Sequence, residues 1–226
     1  MSDVSFSTDI RHLTSNLFFM VKESIPFITI PLIVAAICAF AAVFFAMFQL
    51  WFVAAAFLFL AGFMAYFFRD PQRTIPSEAD IVLSAADGKV TRVETRENGQ
   101  FVSVFLSPMD VHINRSPITG KVTKVELLRG KKAPATSNQA SEINERNAIT
   151  IEGEKMTVIC TQIVGILARR IVCWSKVGDN LEIGEKYGLI KFGSRTDLLM
   201  PVNTEILVKV GDRVVGGETI IGRLKG

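Results

Sequence analysis

Charge is absent from one long stretch of this 226-residue chain. Residues 24–68, 45 in all, contain no Asp, Glu, Lys, Arg or His, and they hold eleven of the 17 phenylalanines. A water-facing surface cannot be built from such a stretch, so the 49% hydrophobic content reports a segment and not an unusually apolar core. Histidine is scarce, with only His12 and His112, which leaves few ligands for metal chemistry. The three cysteines, Cys38, Cys160 and Cys173, form no CxxC and no even-numbered framework, which argues against a structural zinc site and a disulfide scaffold. A net charge of +3, with no long basic stripe interleaved with aromatics, gives no case for nucleic acid.

What the chain has instead is a division. As helix, residues 24–68 would extend about 67 Å at roughly 1.5 Å per residue, against a hydrocarbon core of about 30 Å. The length predicts two crossings with a turn near Gln49 and Trp51; a re-entrant hairpin that does not fully cross is the alternative. A secretory signal is a poor fit, because more than 20 mostly polar residues precede the run. Arg11 and Lys22 lie before it and Arg69 and Arg73 after it. Basic flanks on both sides place both on the cytoplasmic face of a cell membrane, which two crossings satisfy and one does not. The expected organisation is a polar segment at 1–23, a helical membrane hairpin at 24–68, a linker at 69–80 broken by Asp70-Pro71 and Ile75-Pro76, and a catalytic domain at 81–226.

The last of these reads as β-rich. Short alternating runs such as Lys89-Val90-Thr91-Arg92-Val93 and Phe101-Val102-Ser103-Val104-Phe105 are bounded by turn residues. Residues 130–147 are polar and predict a long loop. The domain also repeats itself. Gly88-Lys89-Val90-Thr91-Arg92-Val93-Glu94 recurs as Gly120-Lys121-Val122-Thr123-Lys124-Val125-Glu126. At nearly the same spacing, Lys176-Val177-Gly178-Asp179 recurs as Lys209-Val210-Gly211-Asp212, and Gly184-Glu185 as Gly217-Glu218. Related hairpins in a lipoyl-like, barrel-sandwich arrangement are the expected result.

Four segments carry chemistry. Gly193-Ser194, in Gly188-Leu189-Ile190-Lys191-Phe192-Gly193-Ser194-Arg195-Thr196-Asp197, reads by itself as a turn. Ser84-Ala85-Ala86-Asp87-Gly88 puts an acid at the head of a strand, a position that Asp-Gly also takes for purely structural reasons. Leu106-Ser107-Pro108-Met109-Asp110-Val111-His112-Ile113-Asn114-Arg115-Ser116-Pro117 sets the one histidine of the β-rich part between prolines. Phe67-Phe68-Arg69-Asp70-Pro71-Gln72-Arg73 follows the apolar run. Together these resemble the phosphatidylserine decarboxylase family in its short form, over nearly the whole stretch from residue 69 to 222.

That resemblance implies a proenzyme. The Ser194 hydroxyl would attack the Gly193 carbonyl, and an N-to-O acyl shift would give an ester. β-Elimination would then split the chain into a large chain, 1–193, and a small chain, 194–226. Residue 194 would lose ammonia and become a covalent pyruvoyl group, the only cofactor implied, with no metal. Its ketone would form a Schiff base with the amine of phosphatidylserine and yield phosphatidylethanolamine and carbon dioxide. The partners implied are that lipid, the membrane and the chain's own cleaved piece, in a heterodimer of large and small chains.

Gly suits an unhindered carbonyl, and Ser needs an assisting base. His112 is the candidate, since imidazole titrates near neutrality. Asp87 would orient it, stabilise its charge or assist cleavage, with Asp110 a further candidate. Longer family members carry a second histidine where this chain has Arg115, and a small hydroxyl residue where it has Arg195. Either His112 serves both cleavage and decarboxylation, or Arg115 and Asp87 share one of them. Asn144-Glu145-Arg146-Asn147 also resembles the family and would order the long loop, whose Lys131 and Lys132 could meet anionic head groups. His12 reads as solvated. Two other readings stay open on the residues alone: a tethered lipoyl-like binding module, and a pyruvoyl decarboxylase for another amino acid.

Overall fold

The computed structural model describes residues 25–44, 51–130, 143–165, 170–191 and 194–225. The chain divides into two compact units, residues 1–72 and 73–226, so Arg73 and the rest of the expected linker fold with the β-rich unit.

In the first unit, α1 (Ile25–Phe44) and α2 (Trp51–Phe67) pack against each other. Small side chains, Ala35, Ala42, Ala54 and Ala61, are buried, while Phe40, Phe52 and Phe59 are more than three-quarters exposed. Alanines let two helices approach closely, and outward phenylalanines suit lipid and not water. Residues 25–42 of α1 are long and apolar enough to cross a membrane; α2, at 17 residues, is shorter. Trp51 opens α2, while Gln49 lies outside the described residues. Below Tyr66 the chain re-enters a polar register, where Arg69 stacks over the Tyr66 ring at 3.8 Å and donates to its carbonyl at 2.9 Å.

The second unit is mainly β. Its strands are β1 (Ile81–Leu83), β2 (Gly88–Arg96), β3 (Gly99–Leu106), β4 (Ile113–Arg115), β5 (Gly120–Leu128), β6 (Arg146–Glu152), β7 (Thr157–Val164), β8 (Arg170–Cys173), β9 (Asn180–Leu181), β10 (Lys186–Lys191), β11 (Ser194–Met200), β12 (Thr204–Ile206), β13 (Arg213–Val214) and β14 (Ile220–Leu224). An eight-stranded antiparallel sheet runs β13-β2-β3-β11-β7-β6-β5-β9, and two three-stranded sheets run β1-β14-β12 and β4-β10-β8. The large sheet curls into a half-barrel around a core that includes Val90, Val102, Val104, Ile149, Val158, Cys160, Leu198 and Met200.

That strand order is two copies of one motif meeting at the β7·β11 pair. One copy is β13-β2-β3-β11 with β1-β14-β12; the other is β9-β5-β6-β7 with β4-β10-β8. The repeats in the sequence are its visible part, and the hydrogen bonds match in detail. Val90 N–H bonds to Asp212 O at 2.9 Å and Val122 N–H to Asp179 O at 2.8 Å. Gly217 N–H bonds to Ser84 O and Gly184 N–H to Ser116 O, each at 2.8 Å. Leu83 N–H bonds to Pro117 O and Arg115 N–H to Ala85 O, each at 2.9 Å, joining the copies symmetrically. The paired glycines adopt paired left-handed angles: φ is 102° and 103° at Gly178 and Gly211, and 80° at both Gly184 and Gly217. Ile75 packs against Gly184, where a β-carbon would come within 2.3 Å of its Cδ1.

Two expectations are corrected here. The Val-Gly-Asp turns do not close hairpins between neighbouring strands. Each instead embraces a distant strand of its own copy, β13 on β2 and β9 on β5, because the bonding partner of the turn is the bulged Val90 or Val122 and not the next strand. The long polar loop also ends early: Arg146 and Asn147 already belong to β6, paired with Ile163 and Gln162 of β7. Residues 131–142, including Lys131 and Lys132, lie outside the described residues, as does His12.

The copies are nested. The second occupies residues 113–191 without interruption and sits inside the first, which comprises residues 81–106 and 194–224. The chain leaves the outer copy after Leu106 and returns at Ser194, and these two residues are direct partners across β3 and β11. Of the residues singled out for chemistry, Asp110 and His112 fall at one junction of the inserted copy and Ser194 at the other, while Asp87 precedes β2 within the outer copy.

Candidate active site

Ser194 opens β11, between Leu106 of β3 and Val164 of β7. It is fully buried, and its Oγ has no hydrogen-bond partner among the described residues. A buried hydroxyl without a partner costs about 1–3 kcal/mol, and a fold keeps such a group where it serves something else. Gly193 lies outside the described residues. The far side of the junction is His112, 2% exposed. Its carbonyl accepts from Ile190 N–H at 3.1 Å, which sets it against the strand leading to Ser194. His112 Nδ1 is 2.9 Å from the Asp110 carbonyl. A carbonyl only accepts, so Nδ1 carries the hydrogen and Nε2 is the basic nitrogen of the neutral ring.

Asp110 is held by the turn it closes. Ser107 N–H donates to its carboxylate at 2.8 Å, and the exposed Arg213 pairs with its other oxygen. Asp87 lies within electrostatic reach of Asp110. Burial pushes the Asp87 carboxyl above the usual carboxylate range; Arg73 and the Gly216 N–H pull it back, and Asp110 adds to the rise. The Gly216 bond is 2.8 Å, and one Arg73 nitrogen lies 2.9 and 2.8 Å from the two carboxylate oxygens. These are the hydrogen bonds of Asp87 among the described residues, and none of them is to the His112 ring.

The internal copy gives Asp87 a reference. Asp87 precedes Gly88 as Thr119 precedes Gly120, so Thr119 is its counterpart, and Thr119 Oγ1 accepts from Ile183 N–H at 3.0 Å. Ile183 precedes Gly184 as Gly216 precedes Gly217, so these two are counterparts as well. A neutral hydroxyl therefore suffices for this turn, and the carboxylate at 87, with its Arg73 partner, exceeds what the fold needs.

A second feature escaped the sequence. Asn147 Nδ2 donates to Gln162 Oε1 at 3.1 Å, Gln162 Nε2 to Asn114 Oδ1 at 2.9 Å, and Asn114 Nδ2 to Thr196 Oγ1 at 2.9 Å. All four side chains are 2% exposed or less. The relay ends two residues along β11 from Ser194, on the same face of the strand. Asn144 steadies the neighbouring strand end, donating to Val164 O at 2.7 Å. The guanidinium of Arg115, at the position where longer family members carry a second histidine, donates to Gly184 O at 3.1 Å. Arg195 points to the opposite face from Ser194 and pairs with Asp197 at 3.1 Å.

A family described as phosphatidylserine decarboxylase matches residues 60–222. The chain belongs to the phosphatidylserine decarboxylase family. A phosphatidylserine decarboxylase proenzyme of Symbiobacterium thermophilum is 47% identical over 189 residues, covering 79% of this chain and 87% of that one. Proenzymes of the same description from Wolbachia pipientis and Gluconobacter oxydans are 42% and 46% identical, over 74% and 72% of this chain and 78% and 77% of theirs. Phosphatidylserine decarboxylation is a carboxy-lyase reaction, and family membership assigns it to this chain.

Proposed function

We propose that the chain cleaves itself between Gly193 and Ser194 and that residue 194 then carries the pyruvoyl group with which it decarboxylates phosphatidylserine. The observation that carries this reading is the buried Ser194 hydroxyl, without a partner among the described residues, at the junction of the nested copies. His112 lies at the other junction with its basic nitrogen fixed as Nε2. The Ser194 oxygen attacks the Gly193 carbonyl carbon, the peptide nitrogen leaves, and an ester replaces the amide. Loss of the Cα hydrogen of residue 194 expels the Gly193 carboxylate. Water then releases the nitrogen as ammonia. His112 is the base in these steps, and ionised Asp87 acts on it through the field around Asp110.

Ser194 fits a pyruvoyl group, because conversion removes a fully buried hydroxyl that has no partner among the described residues. The group supplies an electron sink for the pair left when carbon dioxide departs. The chain's residues bury it, keep water out and hold a proton at His112. After cleavage the small chain, 194–226, stays bound as a heterodimer partner, since β11 lies between β3 and β7, β13 pairs with β2 and β14 pairs with β1. The fold reads as a lipoyl-like barrel-sandwich arrangement nested in itself. Both helices enter the membrane, with the catalytic unit on the cytoplasmic face of the cell membrane, where the lipid head group is presented.

Intact-mass measurement of the purified protein tests the reading. It predicts a blocked small chain starting at residue 194; a single 24.9 kDa species that decarboxylates phosphatidylserine would overturn it.

A further inference from the structure

The duplicated fold contains its own control for the polar relay. In the outer copy Val93 faces Val102, which faces Leu198; in the inner copy Val125 faces Ile149, which faces Cys160. Leu198 and Cys160 are therefore counterparts. Two residues before them stand Thr196 and Val158; two residues after them stand Met200 and Gln162. Asn114 lies in β4 opposite Gly188, where Val82 lies in β1 opposite Gly222. The buried set Asn114, Gln162 and Thr196 thus has an apolar counterpart, Val82, Met200 and Val158, which is part of the hydrophobic core. The same backbone positions pack as core at one end of the half-barrel and as a hydrogen-bonded amide relay at the other.

Polar groups at these positions are not required for folding, since the other copy does without them. Burying two amides and a hydroxyl is costly unless every bond is made. The relay lies only at the Ser194 end. Its donors run in one direction, from Asn147 through Gln162 and Asn114 to Thr196. Thr196 Oγ1 accepts from Asn114, and its own hydrogen has no acceptor among the described residues. It stands on the face of β11 that carries the Ser194 hydroxyl. Asn114 follows His112 by two residues, so its bond to Thr196 also ties β4, which begins directly after His112, to the strand beginning at Ser194.

We propose that Asn114, Gln162 and Thr196 are positioning residues for residue 194. The amides fix the Thr196 hydroxyl as a donor beside Ser194 and lock the His112 strand against it. This rests on the reading of Ser194 as the cleavage site.

The test exchanges the relay for the residues of the other copy, in the full-length chain in detergent. Asn114→Val, Gln162→Met and Thr196→Val together should give a folded protein whose melting temperature is no lower than that of uncleaved Ser194→Ala. Its self-cleavage, followed on gels and by mass, should be about a hundredfold slower, the scale of removing a placed donor. Thr196→Val alone should slow cleavage about tenfold or more, and Thr196→Ser, which keeps the hydroxyl, should restore it. Cleavage of the triple variant at the native rate would overturn the proposal, as would failure of Thr196→Ser to rescue. If the triple variant does not fold, the single Thr196 pair decides on the same criteria. Absence of a 193/194 cut in the unmodified protein would instead remove the underlying site reading.

Discussion

Replacing Asp87 with threonine borrows the solution that the fold already uses at Thr119, and it separates what the turn needs from what the site needs. The Gly216 N–H keeps an acceptor, as Ile183 N–H does with Thr119. What is lost is the ion pair with Arg73, whose side chains are 9% and 16% exposed. Removing one partner of a desolvated pair strands the other and costs about 3–5 kcal/mol. Arg73→Met should cost a similar amount. The double variant, with no charge left to strand, should lie within about 1.5 kcal/mol of the parent, so the two changes couple by several kcal/mol. Denaturant unfolding in detergent, on the Ser194→Ala background so that every sample is one uncut chain, measures this cycle. Additive costs, or a cost below about 1 kcal/mol for Asp87→Thr, would refute the reasoning.

The same pair has a pH signature. The folded pKa of Asp87 is raised, by burial first and then by Asp110, despite Arg73. A carboxyl raised on folding contributes stability below its unfolded pKa, and that contribution is lost as pH rises through the folded pKa. Arg73→Met removes a lowering influence, so this loss moves to higher pH. The variant should regain stability on acidification through the carboxylate range, and the double variant, lacking the carboxyl, should not. If ionised Asp87 serves His112, the acid limb of the self-cleavage rate should move upward in Arg73→Met by the same logic.

Gly184→Ala should destabilise more than Gly178→Ala. Both need left-handed backbone, about 1–2 kcal/mol for an L residue, but a β-carbon at Gly184 also meets Ile75 Cδ1 at 2.3 Å, while Gly178 has open space; melting curves of the two variants check the order. Burial pushes the Cys160 thiol far up and the half-buried Cys173 thiol up as well. Thiol titration of the native protein near pH 8 should therefore find Cys160 inert until denaturant is added; rapid labelling of the folded protein would contradict its burial. His112→Ala should leave the chain as a single uncut band on gels, and normal processing would remove it as the base.

Much of this was legible from side-chain types. An uncharged run of that length specifies apolar helices, and β-branched alternation with Gly and Asp turns specifies strands through local sterics. Two sets of repeats at nearly one spacing announced a duplication. The same 32-residue offset sets Asn114 against Val82, so the sequence marks Asn114 as a polar departure from the repeat but not the relay it belongs to. The partners of Asn114 could not be read, since Gln162 and Thr196 reach it only through the registers of β7 and β11. In the sequence Arg73 reads as a topogenic charge, and its bond to Asp87 depends on where residues 73–75 lie against the rest of the β-rich unit.

The sequence alone determined the apolar helices, the β-rich composition and the Gly-Ser, His and Asp motifs, because these rest on solvation, backbone sterics and the chemistry of single side chains. The tertiary structure decided that the repeats are nested copies, and that Ser194 and His112 lie at the two junctions of the inner one. It also decided that one end of a symmetric core is polar. Those are properties of strand register and long-range pairing, which no local pattern encodes.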